Sequence, residues 1–426
     1  MQGFQCEGFS AKVIARASLG QGLAFVLALA SVCFGAGIGC LRSVGQWVSV
    51  ENHGSQSCQT PGCSGLKMIR LEAREAPNAT MRVVTPVLAI ALTILTGLLI
   101  FALLGKDPVR GFEVFFVNPL KTTYGISEWL LKATPLALCA AGLAVGFRAS
   151  VWNIGAEGQF ILGAIGATYV ALYAGSVPIL TLVLMVLAGV AAGAAWAAIP
   201  AFLKTRFNAS EILVSLMLVY VAELLVSWLV FGPLRDPMGF NFPQTVMFEP
   251  EALLPILLPG TRLNLVLGFV LMVLIASYIL VFKTHLGFKM RVAGESPNAA
   301  RYAGVPARTM VWLGLLIGGA CAGLAGMAEV SGPMGQLTNK VGSGYGFAAI
   351  IVAFVGRLHP IGIGLAALLM ALFFIGGEQA QQYLGLPGSI SKVFQGLLLF
   401  YLLATDVLIN YRIRFTRASA LTSGAR

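Results

Sequence analysis

Long apolar runs separated by isolated charges, rather than a two-residue alternation, set the pattern of this chain. Between positions 158 and 203 there is no Asp, Glu, Lys or Arg. One membrane-spanning helix needs about 20 apolar residues, so this stretch alone can hold two. The alternation over segments of about 10 residues that marks a membrane β-barrel is missing. With charges taken as segment ends, the pattern predicts apolar helices over 84–104, 133–147, 158–175, 177–200, 212–231, 263–282 and 309–328. The next run, 345–375, would make a helix about 46 Å long, too long for one ordinary span. Gly356-Arg357-Leu358-His359-Pro360 interrupts it with charge, polarity and a proline. That combination marks a turn and divides the run into 345–355 and 361–375. A last segment, 390–404, completes the series. The fold class expected is therefore all-α, a polytopic membrane helix bundle.

Composition agrees, with 58% hydrophobic and 11% charged residues. A soluble domain carries about 25% charged residues, and a disordered chain departs in the opposite direction. Charge placement then tests the count of spans. The net charge of +11 is concentrated in short loops. Arg70, Arg74 and Arg82 lead in, and Lys204 and Arg206 share one loop. Lys283, Lys289, Arg291, Arg301 and Arg308 surround a single Glu295, and Arg412, Arg414 and Arg417 form the tail. Loops rich in Lys and Arg stay on the cytoplasmic side. All four groups lie on one side only if an even number of crossings separates the third from the tail. Splitting the long run at Arg357 supplies it, giving ten crossings with both ends cytoplasmic. The 345–355 helix is too short to cross unaided without tilt or partial re-entry. No basic cluster is interleaved with aromatics as a nucleic-acid surface would be.

Residues 1–67 read as an atypical N-terminal extension. Lys12 and Arg16 precede an apolar run at 22–41, as in a signal peptide or signal anchor. A polar stretch rich in Gly, Ser, Gln and Cys follows. At Met68 the text changes to a charged lead into the first span, so 68–426 is expected to be the transmembrane domain and Met68 a candidate start. Five of the seven cysteines precede Met68, and Cys139 and Cys321 sit in apolar runs. Without a CxxC or paired His motif, neither a metal site nor a disulfide framework is expected.

Three places interrupt the apolar text with chemistry. Asn153-Ile154-Gly155-Ala156-Glu157-Gly158-Gln159 sits between two apolar runs. Its glycines favour a broken helix, and its amides and carboxylate supply donors and acceptors. Broken helices are how transporters present backbone groups to polar substrates, although an interfacial turn has the same composition. Arg148 is either its charge partner or a loop cation. Gly342-Ser343-Gly344-Tyr345-Gly346-Phe347 is a second glycine-rich break, and it opens the short helix. The third place is the basic loop at 287–304, where Pro297 can start a short helix able to dock into a partner's groove. Glu223, in the middle of a span, reads as a proton-coupling group, a substrate contact or, favoured, a carboxyl hydrogen-bonded between helices. Glu329 reads as interfacial.

No P-loop, HExxH or GxSxG occurs, so the chain resembles a pathway without an engine. An ion-gradient-driven secondary transporter working through Glu223 is the alternative, and a membrane enzyme has no catalytic constellation to stand on.

Three collinear segments carry a family resemblance. VWNIGAEGQFILGAIGA at 151–167 resembles a signature of bacterial ABC-importer permeases for nucleosides and simple sugars. GFKMRVAGESPNAARYAGV at 287–305 resembles their cytoplasmic coupling loop, and GYGFAAIIVAFVGRLHPIGIGLAA at 344–367 a third typical stretch. The wider family includes branched-chain amino acid and ribose permeases. The resemblance implies a multi-pass inner-membrane permease working by alternating access. It implies a second related permease subunit, two cytoplasmic ATPase subunits and an extracytoplasmic substrate-binding protein or lipoprotein, with membrane lipid around them. No cofactor is expected on this chain, since ATP would bind the ATPase. By motif, Asn153, Gly155, Glu157 and Gln159 would lie at or near the translocation path. Gly294, Glu295, Asn298, Ala299, Ala300, Arg301 and Gly304 would meet the ATPase. The fifth span departs from the family pattern: an asparagine is expected near its middle, where this chain reads Leu218-Val219-Tyr220-Val221-Ala222-Glu223.

Overall fold

The computed structural model describes residues 67–73, 79–174, 177–240 and 242–417. The expected extension at 1–67 lies outside these, apart from Lys67. Backbone contacts divide the chain into 70–414 and a second unit of 1–69 with 415–426. All helices described here belong to the first unit.

Each of the ten apolar segments forms a helix. In chain order these are α1 (Ala79–Leu103), α2 (Thr123–Arg148), α3 (Ala156–Tyr173), α4 (Pro178–Phe207), α5 (Glu211–Phe231) and α6 (Val266–Lys283). Two further helices occupy the basic loop, α7 (His285–Glu295) and α8 (Pro297–Tyr302). The series ends with α9 (Ala307–Glu329), α10 (Tyr345–Val355), α11 (Pro360–Leu384) and α12 (Ile390–Asn410). Seven of them are long and apolar enough to cross a bilayer: α1, α2, α4, α5, α6, α9 and α11. With 11 residues, α10 is about 16 Å long, roughly half a hydrocarbon core. Lys67–Ala73 and Tyr411–Arg417 pair as a two-stranded sheet, where the apolar pattern carries no strand signal. The pairing joins the lead into α1 to the tail after α12.

Helix α9 is the hub and packs on α2, α3 and α4. Its glycines meet glycines of α3 and α4, with Gly163 and Gly193 both set against Gly323. Small faces of this kind let backbones approach where lipid provides no hydrophobic drive. Most of α2 is enclosed, whereas α1, α4, α5 and α6 leave wide apolar faces outward. The long 232–265 connection covers the segment after α9. Thr245 N donates to Leu337 O at 3.0 Å, Phe248 N to Gly335 O at 2.9 Å, and Leu254 N to Ser331 O at 2.9 Å.

Candidate functional site: a junction of two helix starts

After Arg148 the chain leaves the helix and runs through Val151, Trp152, Asn153 and Ile154 without regular structure before α3 begins at Ala156. This non-helical strap carries the start of α3 into the bundle. Asn153, Gly155, Glu157 and Gln159 are all buried. The amides of Asn153 and Gln159 pair reciprocally. Asn153 Nδ2 donates to Gln159 Oε1 at 2.8 Å, and Gln159 Nε2 donates to Asn153 Oδ1 at 3.2 Å. Gly155 N–H also donates to Asn153 Oδ1, at 3.1 Å. The break in the helix is thus closed by side chains that stand in for missing backbone partners.

Glu157 reaches across to the second break. Its Oε1 accepts from Gly344 N–H at 2.8 Å and its Oε2 from Gly346 N–H at 2.5 Å. These amides belong to the first turn of α10, whose free N–H groups and dipole favour an anionic acceptor. Two helix starts therefore face one another with one carboxylate between them. The approach demands glycine: Gly344 has φ +87°, and a Cβ on Gly346 would strike the Glu157 backbone nitrogen. The start of α10 is held from the other side as well. Lys132 Nζ donates to the Tyr345 hydroxyl at 3.1 Å and lies 3.3 Å from Glu378 Oε1.

The structure thus joins both glycine-rich breaks into one site. Sequence reasoning finds the two but not their contact, nor the part of Lys132. The structure narrows two readings. Arg148 is no partner of Glu157: its Nη2 donates to Leu358 O at 2.9 Å, and its guanidinium lies over Phe282. Glu223 is not held between helices of this chain but sits on the exposed face of α5 with Tyr220 and Trp228. Glu329 is enclosed by the bundle at the end of α9.

The basic loop folds as its residues suggest. Thr284 Oγ1 caps α7 by accepting from Gly287 N–H at 3.2 Å. Ser296 Oγ caps α8 by accepting from Ala299 N–H at 3.4 Å, and Pro297 opens that helix. Ala300 is fully buried and accepts from Val305 N–H at 2.8 Å, while Asn298, Ala299, Arg301 and Gly304 are exposed. Tyr302 is 95% exposed, an aromatic ring left uncovered by the described residues. Glu295, at the end of α7, is exposed too. Gly294 touches the strap before α3: its carbonyl accepts from Ser150 Oγ at 2.9 Å, and a Cβ there would strike Arg148 O.

No solved structure matches this chain. Among related proteins, the glucose ABC transporter permease protein TsgB13 of Haloferax volcanii is 35% identical, over 81% of this chain and 93% of its own length. The nucleoside ABC transporter permease protein NupB of Lactococcus lactis subsp. cremoris is 30% identical, over 76% and 92%. The guanosine ABC transporter permease protein NupP of Bacillus subtilis is 28% identical, over 80% and 97%. The same two bacteria each have another similar permease, NupC and NupQ respectively. Residues 125–403 match the family described as branched-chain amino acid transport system / permease component, a stretch that runs from within α2 to within α12. The chain belongs to that family of membrane permeases.

Proposed function

We propose that this chain is one of two related permease subunits of an ATP-driven importer that carries nucleosides or simple sugars. The substrate class follows the names of its relatives, which include glucose and nucleoside permeases. The pairing follows from the two permeases that each of two bacteria has. Two cytoplasmic ATPase subunits supply the energy, and an extracytoplasmic binding protein or lipoprotein delivers the substrate. By the rule that basic loops stay inside, α7, α8, the lead into α1 and the tail after α12 lie on the cytoplasmic side of the plasma membrane, in bacteria the inner one.

The observation that carries this reading is a continuous set of contacts from α8 to the buried junction. Tyr302, Asn298 and Arg301 face outward for the ATPase, while Ala300 anchors α8 from beneath. Gly294, at the end of α7, rests on Arg148 and Ser150. Five residues further on, the strap from Ser150 reaches Gly155 and then the carboxylate that holds α10. A pull on α8 by closing ATPases is transmitted through this rigid series to the two helix starts, which move apart or together as the path changes sides. Discontinuous helices with free backbone groups suit this role because they expose polarity inside a bilayer without leaving it permanently unpaired. Asn153, Gly155, Glu157 and Gln159 form the α3 side of that path. The exposed Glu223 of α5 is its lining, facing the second permease.

Uptake of labelled guanosine and glucose by membrane vesicles tests the proposal. Vesicles with this chain and its co-encoded partners should take up one of them with ATP, and a protonophore should leave that uptake intact. Uptake by this chain alone, abolished by the protonophore, would establish the ion-driven alternative. Among the described residues, no arrangement favours that alternative.

A further inference from the structure

An apolar groove of about 440 Å³ runs along the outer surface between α6 and α11. Leu271, Leu274, Ile275 and Tyr278 form one wall, and Ile361 and Leu365 the other. At the α7 end the character of the surface changes. The Tyr278 ring lies 5.2 Å from Phe282 and 6.0 Å from His359. Over Phe282 stand two guanidinium groups, Arg148 at 4.6 Å and Arg291 at 5.8 Å from the ring centre. Lys283 and His285 are exposed beside them in the chain. Two like charges sharing one ring repel, and neither arginine forms an ion pair among the described residues. Arg148 spends one donor on Leu358 O, but its Nε is buried with no hydrogen-bond partner. A buried donor on a cation is costly to leave unmade.

We propose that this groove binds an anionic phospholipid, its phosphate between Arg148 and Arg291 and an acyl chain along α6 and α11. The phosphate would accept from the Arg291 fork and lie beside the Arg148 guanidinium, relieving the repulsion between the two cations. The groove is the reason to commit to a lipid: free phosphate would satisfy the arginines but leave the apolar walls without an occupant. Basic pockets at the cytoplasmic ends of membrane helices hold anionic headgroups in this way. The lipid would also bear on coupling. Arg291 belongs to α7 and Arg148 to the end of α2, so one headgroup bridges the cytoplasmic helix and the strap that leads to the buried junction.

Native mass spectrometry of the full chain tests this, with dioleoylphosphatidylglycerol and dioleoylphosphatidylcholine added in turn. Phosphatidylglycerol should be retained preferentially. Arg291→Gln should lower its retention by about fivefold, the effect of about one near-surface cation. Arg291 is exposed, so this variant leaves the packing intact, whereas Arg148 also braces Leu358. Gly364→Leu, which adds bulk inside the groove, should lower retention with both arginines present. Equal retention of the two lipids, or no effect of Arg291→Gln, overturns the proposal. Displacement of the lipid by millimolar inorganic phosphate overturns it in favour of a phosphate site.

Discussion

Glu157 shows how much of the site depends on partners remote in sequence. Its two acceptor contacts come from residues 187 and 189 positions away, so no local pattern could name them. The polar cluster itself is marked in the sequence, because a Glu and two amides inside apolar text are conspicuous. That Asn153 and Gln159 satisfy each other is not, since it depends on where the strap turns. Arg148 is the cation nearest to Glu157 in the chain, yet it lies at the end of a helix that points it elsewhere. Two predictions belong at this scale. Glu157→Gln keeps the shape but turns one acceptor into a donor against the α10 amides. It should cost about 1–3 kcal/mol and lower the melting temperature of the purified protein, with uptake lost at least in part. For Asn153→Ala and Gln159→Ala, a double-mutant cycle of melting data should give a coupling of about 1 kcal/mol. Additive effects would contradict the reciprocal pair.

Element boundaries are legible where charges end helices and misleading where charges are paired. The charge pattern starts the second span at Ala133, whereas α2 starts ten residues earlier, at Thr123. The residues that obscure this are Glu128 and Lys132. Glu128 takes a bidentate bond from Arg262, at 2.8 Å to Nε and 2.6 Å to Nη2, and Lys132 is held by Glu378 and Tyr345. Pairing with Glu128 keeps the Arg262 guanidinium above its ordinary pKa. By contrast α8 is legible, because its start is written in local chemistry: a serine cap followed by proline. Its two faces separate folding from docking. Tyr302→Ala should leave the melting temperature unchanged and abolish ATP-dependent uptake. Ala300→Leu, at a fully buried position, should destabilise by about 1–3 kcal/mol through overpacking. A marked fall in melting temperature for Tyr302→Ala would show that its ring supports the fold instead.

At the scale of the whole molecule, parity of the basic loops locates the short α10, which hydropathy alone would merge with α11. Sequence cannot reveal that α10 starts inside the bundle, because depth depends on what α3 and α9 leave open. Nor can it say which way Glu223 faces, since α5 is apolar on nearly every side. The structure puts that carboxylate on an outward face of a membrane helix, with Tyr220 at 55% and Trp228 at 63% exposure. A carboxylate directed at lipid costs several kcal/mol, so this face needs a polar neighbour that the described residues do not supply. The proposed second permease, and the path between the two subunits, would provide one. A Glu223→Cys variant should therefore react with a small, water-soluble maleimide in the assembled importer. Substrate should slow the reaction, and a crosslinker should join this position to the partner permease. Leu213→Cys, exposed on the same helix nearer its start, should show no protection by substrate. Glu223→Gln retains hydrogen bonding to hydroxyl groups and should keep part of the uptake, whereas Glu223→Leu should lose it without change in membrane insertion. A thiol of Glu223→Cys that stays unreactive in the assembled complex, with full uptake by Glu223→Leu, would remove α5 from the path and leave the junction at Glu157 as its sole polar element.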